Sequence, residues 1–256
     1  MSGNHLFTLE GKTALVTGGG SGIGYAIATG LAQAGARVIL GGRREDKLKA
    51  AVEELRHAGL RSDWVAFSVS DHGQVDRAFS ELETRATSID VLVNNAGLMV
   101  RENLADFSED DWDKVFGTNV KGPMIVAKRA VISMIRQGQG KIINITSALS
   151  DRARPTTAAY GSSKSALKTL TRYMAIEWGP YGIQANGICP GYLSTEMTRP
   201  LVERKDFSEW LVSRVPAKRW GTPEDLIGTA VFLASAASNF VNGHIVDVDG
   251  GLLATL

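Results

Sequence analysis

Two side chains in the middle of the chain have the chemistry to transfer a proton. Tyr160 and Lys164 stand four positions apart, so on a helix they lie on one face, about one turn apart. An ammonium group beside a phenol favours the phenolate and lowers the pKa of the tyrosine. A free tyrosine titrates near 10, so ionising it near pH 7 needs a shift of about 3 units. A lysine together with a bound cationic cofactor in a dry cleft could supply that shift.

A serine precedes this pair and could act on the same substrate oxygen. Ser147 follows the apolar run 141–145, which is typical of a buried strand. A hydroxyl group at the end of a strand can donate a hydrogen bond to the oxygen that the tyrosine protonates. Tyr-x-x-x-Lys pairs also occur by chance as solvated pairs on exposed helices, so the remaining chain must decide between these interpretations.

A glycine-rich turn between a strand and a helix predicts a phosphate-binding site. The apolar run 13–17 is followed by GGGSGIG and then by apolar residues at helical spacing up to Gly35. Glycines permit a positive φ and close backbone approach, and a helix N-terminus attracts phosphate. The spacing differs from the commoner G-x-G-x-x-G, and a simple tight turn is the alternative. We favour a dinucleotide site that includes Gly18, Gly20, Ser21, Gly22, Ile23 and Gly24.

The end of the second predicted strand, 37–41, indicates which nicotinamide cofactor binds. An acidic residue for the ribose 2′-hydroxyl is expected there, about twenty residues past the glycines. Gly42 occupies that position and two arginines, Arg43 and Arg44, follow it. Guanidinium groups suit a phosphate, so we predict NADP(H), with NAD(H) as a weaker alternative and Arg43 as the main contact. The alternative, a solvated arginine at a helix start, fits Arg44 better.

Strand and helix patterns alternate along the whole chain. Further strands are predicted at 63–69, 90–94, 141–146, 182–188 and 244–248. Such alternation with tight connections is typical of an α/β fold with a doubly wound, seven-stranded parallel sheet. We predict a single domain over residues 1–256, with a cofactor half at about 10–145. A substrate-facing segment follows at about 190–215, where the polar stretch 197–215 reads as a mobile lid whose apolar contacts are Trp210 and Leu211.

One long helix is expected to carry a functional kink. Ser108 and the three acidic residues after it predict a helix start, and the helix should run to about Gly138. Pro123 lacks the N–H group that would bond the carbonyl of Asn119, four residues earlier. That carbonyl is then left for water or another partner; a simple packing kink is the alternative.

The motifs TGGGSGIG, NNAG, YGSSK and CPG, with Asn119 and Ser147, resemble the short-chain dehydrogenase/reductase family over essentially the whole chain. The resemblance implies a Rossmann-type fold and hydride transfer to or from nicotinamide. It implies Tyr160 as general acid/base, and Ser147 as the residue that positions the substrate oxygen. Lys164 would bind the nicotinamide ribose and lower the tyrosine pKa, and the Asn119 carbonyl would hold a relay water. Further implied cofactor contacts are Ser68, Val69, Asn95, Ala96, Gly97, Pro190, Gly191, Leu193 and Thr195.

One implied cofactor contact departs from the family pattern. Members often carry an aspartate at the position of Ser68, where it contacts the adenine amino group, so adenine recognition is expected to be weaker or differently made. Within the family, the opening 6–12 and the tail 219–251 are similar to gluconate 5-dehydrogenases and related sugar-acid reductases. The tail pattern also occurs in 3-oxoacyl-carrier-protein reductases. We therefore expect an NADP(H)-dependent oxidoreductase acting on a small sugar acid or sugar derivative. A carrier-protein ketoreductase and a non-catalytic cofactor-sensing protein are the alternatives.

Arginines near the predicted cleft favour an anionic substrate. Arg154 lies between Ser147 and Tyr160, and Arg101 follows the NNAG turn; a guanidinium can bind a carboxylate with two parallel hydrogen bonds. We predict substrate contacts from Arg101, Ser147, Arg154, Tyr160 and Tyr192. The alternative is that Arg152 and Arg154 pair with Asp151 or point into solvent.

The composition excludes several other functions. The chain has 28 Lys and Arg against 27 Asp and Glu, a formal net charge of +1, so we expect no nucleic-acid partner. Its one cysteine, Cys189, predicts a reducing compartment, which we take as the cytoplasm. We expect no secretion signal, membrane span or metal site. The family resemblance implies a homotetramer, in which the helices carrying Asn119 and Tyr160 could offer apolar faces through Ala127, Ala130, Val131, Ala166, Leu170 and Met174. The alternative is that these apolar stripes pack on the sheet.

Overall fold

A parallel sheet runs through the protein, which a computed structural model describes over residues 6–85 and 87–255. Residues 1–5, on which the expectation about a secretion signal partly rests, lie outside that part. Within it, seven strands form one sheet in the order β3-β2-β1-β4-β5-β6-β7. The strands are β1 Thr13–Thr17, β2 Arg37–Gly42, β3 Ser62–Ala66, β4 Val91–Asn94, β5 Gly140–Ile145, β6 Ile183–Pro190 and β7 Ile245–Val248.

Helices connect the strands and cover both faces of the sheet. Over the described residues they are α1 Gly22–Gln33, α2 Glu45–His57, α3 His72–Thr84, α4 Glu109–Phe116, α5 Gly122–Gln137, α6 Ala158–Trp178, α7 Arg199–Val202, α8 Lys205–Arg214 and α9 Ile227–Ala234. This is the predicted α/β, Rossmann-type doubly wound fold in a single domain. Individual strand ends differ from prediction by one to three residues, because hydrophobic runs continue beyond the paired residues.

Alternating side chains of the strands form two cores, one on each face of the sheet. Val16 of β1 packs in the core shared with α1, α2 and α9, whereas Leu15 packs in the core shared with α3, α5 and α6. Burial on both faces explains the continuous apolar runs. The chain order reverses between β1 and β4, and ligands bind beyond the carboxyl ends of strands at such a switch point.

The long helix that begins after Ser108 is divided by a π-helical segment. The Ser108 side chain accepts a hydrogen bond from Asp111 N at 3.1 Å, as its predicted capping role requires. After α4, residues Gly117–Lys121 adopt π-helical geometry before α5 begins. Pro123 stands at the start of α5, where its missing N–H group is least costly. The predicted kink is therefore a π segment that contains Asn119, and such segments are frequent at functional sites.

The predicted apolar contacts of two segments need correction. In 197–215, Leu211 is buried but Trp210 is 47% exposed, and Phe207 and Val215 complete the small core instead. On α5 and α6, the proposed interface residues Ala127, Ala130, Val131 and Met174 are buried against the sheet, with Leu170 packed beside them. The sequence stripe was read correctly as apolar but assigned to the wrong neighbour, because helical periodicity does not identify which surface covers a face.

Candidate active site

A cleft of about 510 Å³ opens at the carboxyl ends of the strands. It brings together nearly all of the predicted site residues, from the glycine turn at one end to Tyr160 and Arg154 at the other. Two predicted residues, Gly24 and Asn119, do not line the cleft; they hold elements of its wall in place. Predicted residues that line the cleft are Gly18, Gly20, Ser21, Gly22, Ile23, Arg43, Ser68, Val69, Asn95, Ala96, Gly97, Arg101, Ser147, Arg154, Tyr160, Lys164, Pro190, Gly191, Tyr192, Leu193 and Thr195.

The glycine turn forms a cradle that a larger residue would fill. A Cβ atom on Gly24 would lie 2.3 Å from the carbonyl oxygen of Gly18, so only glycine lets α1 approach the turn this closely. Gly18 and Gly22 have φ of +66° and +55°, where side chains are disfavoured. Helix α1 begins at Gly22, and Ser21 at its N-cap makes no side-chain capping bond. The backbone N–H groups of this helix start suit the pyrophosphate of a dinucleotide.

The NNAG turn after β4 is tied to the glycine turn by hydrogen bonds. Asn95 donates its amide to the carbonyl oxygens of Thr17 at 2.9 Å and Gly18 at 3.3 Å. The Thr17 hydroxyl in turn accepts from the backbone N–H groups of Asn95 and Ala96, at 3.0 and 3.1 Å. Thr17 was not among the predicted site residues. Its position as the last residue of β1, directly before the glycines, is the sequence signal that could have identified it.

Three cations line the cleft beyond the end of β2. Arg43 and Arg44 are both exposed and both line the cleft, and Arg44 is the N-cap residue of α2, at the helix start where a solvated arginine was the alternative. Lys47 lies in the first turn of α2 and also lines the cleft; it was missed, although it stands only four residues after Arg43. Its amine is 3.9 Å from the Glu196 carboxylate across the cleft. Three positive charges and one distant carboxylate suit a phosphate group.

Asn119 stabilises the wall of the cleft with its side chain. Its amide oxygen accepts from Leu98 N at 2.8 Å, and its amide nitrogen donates to Leu98 O and to Ser163 Oγ at 2.8 and 2.9 Å. The side chain is fully buried. Asn119 thus joins the loop after β4 to helix α6, independently of the predicted role of its carbonyl in holding water.

Ser147 is held beside Tyr160 by close packing of the loop after β5 on helix α6. A Cβ atom on Gly161 would lie 3.0 Å from the carbonyl oxygen of Leu149, so the loop and the helix touch through backbone. Ser165 Oγ donates to Ser150 O at 2.7 Å in the same contact. Small residues at the start of α6, such as Ala158, Ala159 and Gly161, allow this close approach.

The neighbours that lower the pKa of Tyr160 against burial of the phenol are not the expected lysine but Ser147 and Arg101. Burial raises the pKa of its phenol, while the hydrogen bond of Ser147 and the positive charge of Arg101 lower it. Lys164 was expected to lower this pKa directly. Instead its amine donates to Ile145 O at 2.7 Å and lies 5.7 Å from the tyrosine ring centroid. Burial lowers the pKa of Lys164 itself to about 8, because desolvation disfavours the ammonium.

Arg101 and Arg154 face the reacting end of the cleft. Burial lowers the pKa of Arg101, and the charge of Arg154 lowers it further, while the phenols of Tyr192 and Tyr160 raise it. Neither guanidinium donates a hydrogen bond or forms an ion pair within residues 6–85 and 87–255. Asp151 pairs with Lys168 at 2.6 Å instead, so the alternative in which it neutralises Arg154 is wrong.

Known proteins with similar sequences define the family of this chain. A model of a family described as Enoyl-(Acyl carrier protein) reductase matches residues 18–253. Gluconate 5-dehydrogenase of Gluconobacter oxydans (strain 621H) is 45% identical over 256 residues, which is all of both chains. The 5-keto-D-gluconate 5-reductase of Escherichia coli (strain K12) is 44% identical over 253 residues, covering 99% of this chain and 100% of the relative. The chain belongs to the short-chain dehydrogenase/reductase family.

Solved structures place this short-chain dehydrogenase/reductase in the same group. A gluconate 5-dehydrogenase from Burkholderia cenocepacia J2315, solved in complex with NADP and tartrate, matches with a TM-score of 0.96 and 47% identity over 99% of both chains. A short-chain type dehydrogenase/reductase from Mycobacterium marinum matches with a TM-score of 0.91 and 33% identity, covering 96% of this chain and 97% of that one. The protein is accordingly an oxidoreductase that acts on CH–OH groups.

Two further features of this family member concern metals and membranes. In the described part of the chain, His, Cys, Asp and Glu side chains nowhere gather in a group of three that could hold a metal ion. The helices described there are too short or too polar to traverse a lipid bilayer.

Proposed function

We propose that the protein is an NADP(H)-dependent oxidoreductase that interconverts a hydroxyl and a carbonyl group on a small sugar acid, in the manner of a gluconate 5-dehydrogenase. The relatives named gluconate 5-dehydrogenase and 5-keto-D-gluconate 5-reductase support this substrate class. The NADP in the structure from Burkholderia cenocepacia supports the cofactor. In this chain, Arg43, Arg44 and Lys47 suit the 2′-phosphate, and the glycine turn suits the pyrophosphate.

The observation that carries the substrate class is the pair of guanidinium groups beside Tyr160. Arg101 and Arg154 have donors available at the reacting end of the cleft and no carboxylate partner among the described residues. Two like charges at close range repel, and an anion between them removes that repulsion. A carboxylate matches the planar donor geometry of a guanidinium.

Proton transfer is assigned to residues of this chain. Bound NADPH supplies the hydride that reduces the carbonyl carbon. The Tyr160 phenol gives its proton to the carbonyl oxygen, and Ser147 donates a hydrogen bond to the same oxygen. In the oxidation direction the Tyr160 phenolate takes the proton back. Lys164 would bind the nicotinamide ribose, with a water on the Asn119 carbonyl completing the relay that reprotonates Tyr160.

The experiment that tests this function is a paired substrate screen. Sugar acids, neutral ketohexoses and polyols are assayed with NADPH, NADP⁺, NADH and NAD⁺ in parallel. We expect turnover of an acid such as 5-keto-D-gluconate with NADPH, and poor turnover of neutral analogues. Efficient reduction of a 3-oxoacyl thioester with no activity on acids would favour the carrier-protein ketoreductase instead.

Arginine variants test whether Arg154 reads the acid. Arg154→Ala should raise KM for the acid about 10- to 100-fold, because a charge-assisted hydrogen bond is worth roughly 1.5–3 kcal/mol, and should change KM for a neutral analogue little. Arg152→Ala is the matched control, since Arg152 lies outside the cleft near the carbonyls of Leu253 and Thr255. Equal changes in KM for the acid and for the neutral analogue would show that Arg154 does not bind the carboxylate.

Loss of turnover in Tyr160→Phe separates an enzyme from a cofactor sensor. The variant should lose nearly all activity while NADPH titration gives close to the wild-type Kd, because the phenol hydroxyl is needed for proton transfer. Wild-type protein that binds NADPH but turns over no member of the panel would favour the sensor.

The finer organisation of the protein is also proposed here. The cofactor half covers about 10–145 and the substrate-facing segment about 190–215.

We infer a homotetramer from exposed apolar side chains on α5 and α6, such as Ile132, Ile135, Tyr173 and Ile176. The single cysteine is free and buried, which suits a reducing compartment such as the cytoplasm.

A further inference from the structure

The guanidinium of Arg154 is stacked on an aromatic ring from another part of the chain. Its Cζ atom lies 4.4 Å from the centroid of the Phe207 ring. Phe207 is on helix α8, whereas Arg154 is in the loop after β5. A cation over an aromatic face is attracted by the quadrupole of the ring. The contact therefore connects the loop that carries Ser147 to the segment 197–215.

The Phe207 ring is itself held in place by other aromatic residues. Its centroid lies 5.7 Å from that of Tyr192, which lines the cleft, and 6.1 Å from that of Trp220. The indole N–H of Trp220 donates to Ser208 Oγ at 2.8 Å, which joins the cluster to α8. Phe207 is only 9% exposed. It therefore offers Arg154 a fixed surface rather than a mobile side chain.

Stacking leaves the hydrogen-bonding capacity of Arg154 available. The Cζ atom lies over the face of the ring, and a guanidinium that stacks on a ring keeps its N–H donors directed outward in its own plane. None of these groups donates to another described residue, over 6–85 and 87–255. The neighbouring charge of Arg101 would drive Arg154 away from the cleft. The attraction of the Phe207 ring opposes that displacement.

We propose that Phe207 is a positioning residue that sets the preference for anionic over neutral substrates. Its ring holds the Arg154 guanidinium beside Arg101 with the N–H edge free to bind a carboxylate. Helix α8 thus contributes to recognition of the substrate carboxylate without contacting it. This inference rests on the proposed function, in which Arg154 binds the carboxylate of a sugar acid.

The test compares variants of Phe207 that keep or remove the aromatic face. Phe207→Leu keeps an apolar side chain but removes the ring, and should raise KM for the acid by about 2- to 30-fold. KM or the inhibition constant of a neutral ketohexose, and KM for NADPH, should stay within about twofold. Phe207→Tyr keeps the face and should restore the acid preference. Glu209→Gln, an exposed change on the same helix, is the matched control, because Trp210 packs on the Phe207 ring with centroids 5.4 Å apart.

A double-mutant cycle with Arg154 tests whether Phe207 affects substrate preference through Arg154. In an Arg154→Met background, Phe207→Leu should have no further effect on the acid, because the stacked cation is already gone. An equal loss in both backgrounds, or equal losses for acid and neutral compounds, would show that Phe207 acts by packing alone and would overturn the inference. A wild-type enzyme without preference for acids would instead refute the proposed function, and this inference with it.

Discussion

In the proposed reaction, Tyr160 donates a proton in one direction and accepts it in the other, so its pKa would set the pH at which each direction is fastest. Burial raises that pKa, and the Ser147 hydrogen bond and the Arg101 charge offset part of the increase. Because oxidation needs the phenolate, its rate should rise with pH through this pKa. Reduction needs the protonated phenol and should fall over the same range.

The pH profile of Ser147→Ala tests this assignment. Removing a hydrogen bond that lowers the Tyr160 pKa raises that pKa, so the rising limb of kcat/KM for oxidation and the falling limb for reduction should both move to higher pH. The maximal rate should also fall, on the order of 10²-fold, by comparison with other donors to a developing oxyanion. Ser162→Ala, an exposed change on the helix that carries Tyr160, should leave the pH profile unchanged. A limb that moves to lower pH would contradict the proposed hydrogen bond.

The sequence predicted individual residues well where their neighbours are close along the chain. Tyr160 and Lys164 share a helical face because their spacing is four, and the position of Lys47 only four residues after Arg43 could have identified Lys47. Contacts between distant residues were not accessible. Asp151 is bound by Lys168, and Arg154 is stacked on Phe207, because folding brings separate elements together.

The start of helix α2 and the two residues before it carry the cationic side chains that we propose distinguish NADP(H) from NAD(H). Arg43 and Arg44 precede its first turn, and Lys47 lies one turn further along. A phosphate bound by these groups gains charge-assisted hydrogen bonds that a ribose hydroxyl cannot make as strongly. We therefore propose that the segment 43–47 selects the cofactor and that it is separate from the residues that transfer the proton.

Substitutions along α2 test this division. Arg43→Ala should lower kcat/KM for NADPH about 10- to 100-fold, since hydrogen bonds to charged groups contribute roughly 1.5–3 kcal/mol, with little change for NADH. Lys47→Ala should act in the same direction. Lys49→Ala is the control, because Lys49 pairs with Glu45 at 2.7 Å outside the cleft. Equal losses with both cofactors, or a wild-type preference for NADH, would refute the interpretation of this segment.

Element types were predicted more reliably than their internal geometry. Hydrophobic periodicity identified the seven strands, and Ser108 marked the start of a helix correctly. The π segment at Gly117–Lys121 has only Pro123 as a local signal, and a proline predicts a disturbance without its form. The segment 197–215 lacks a strong apolar pattern, so its two helices and the buried position of Phe207 depended on tertiary packing.

At the scale of the whole molecule, two separate surfaces carry exposed apolar side chains. One lies on the neighbouring helices α5 and α6, where Ile176 is 73% exposed and Tyr173 is 59% exposed. The other is marked by the fully exposed Phe240, in the turn that precedes β7, the edge strand of the sheet. Helical periodicity could not separate these faces from the buried ones, because both α5 and α6 are apolar on more than one side.

A tetramer with three twofold axes needs two distinct isologous contacts, because a single isologous contact closes at a dimer, and we predict that these two surfaces form them. Ile176→Glu places a charge in the first surface, and Phe240→Glu places one in the second. Each variant alone should reduce the mass measured by sedimentation at micromolar protein from four subunits to two, and the double variant should give one. Ser80→Glu, an exposed change on α3, should remain tetrameric. If the wild-type chain sediments as a monomer, or if one substitution alone yields monomers, the two surfaces do not act as independent interfaces.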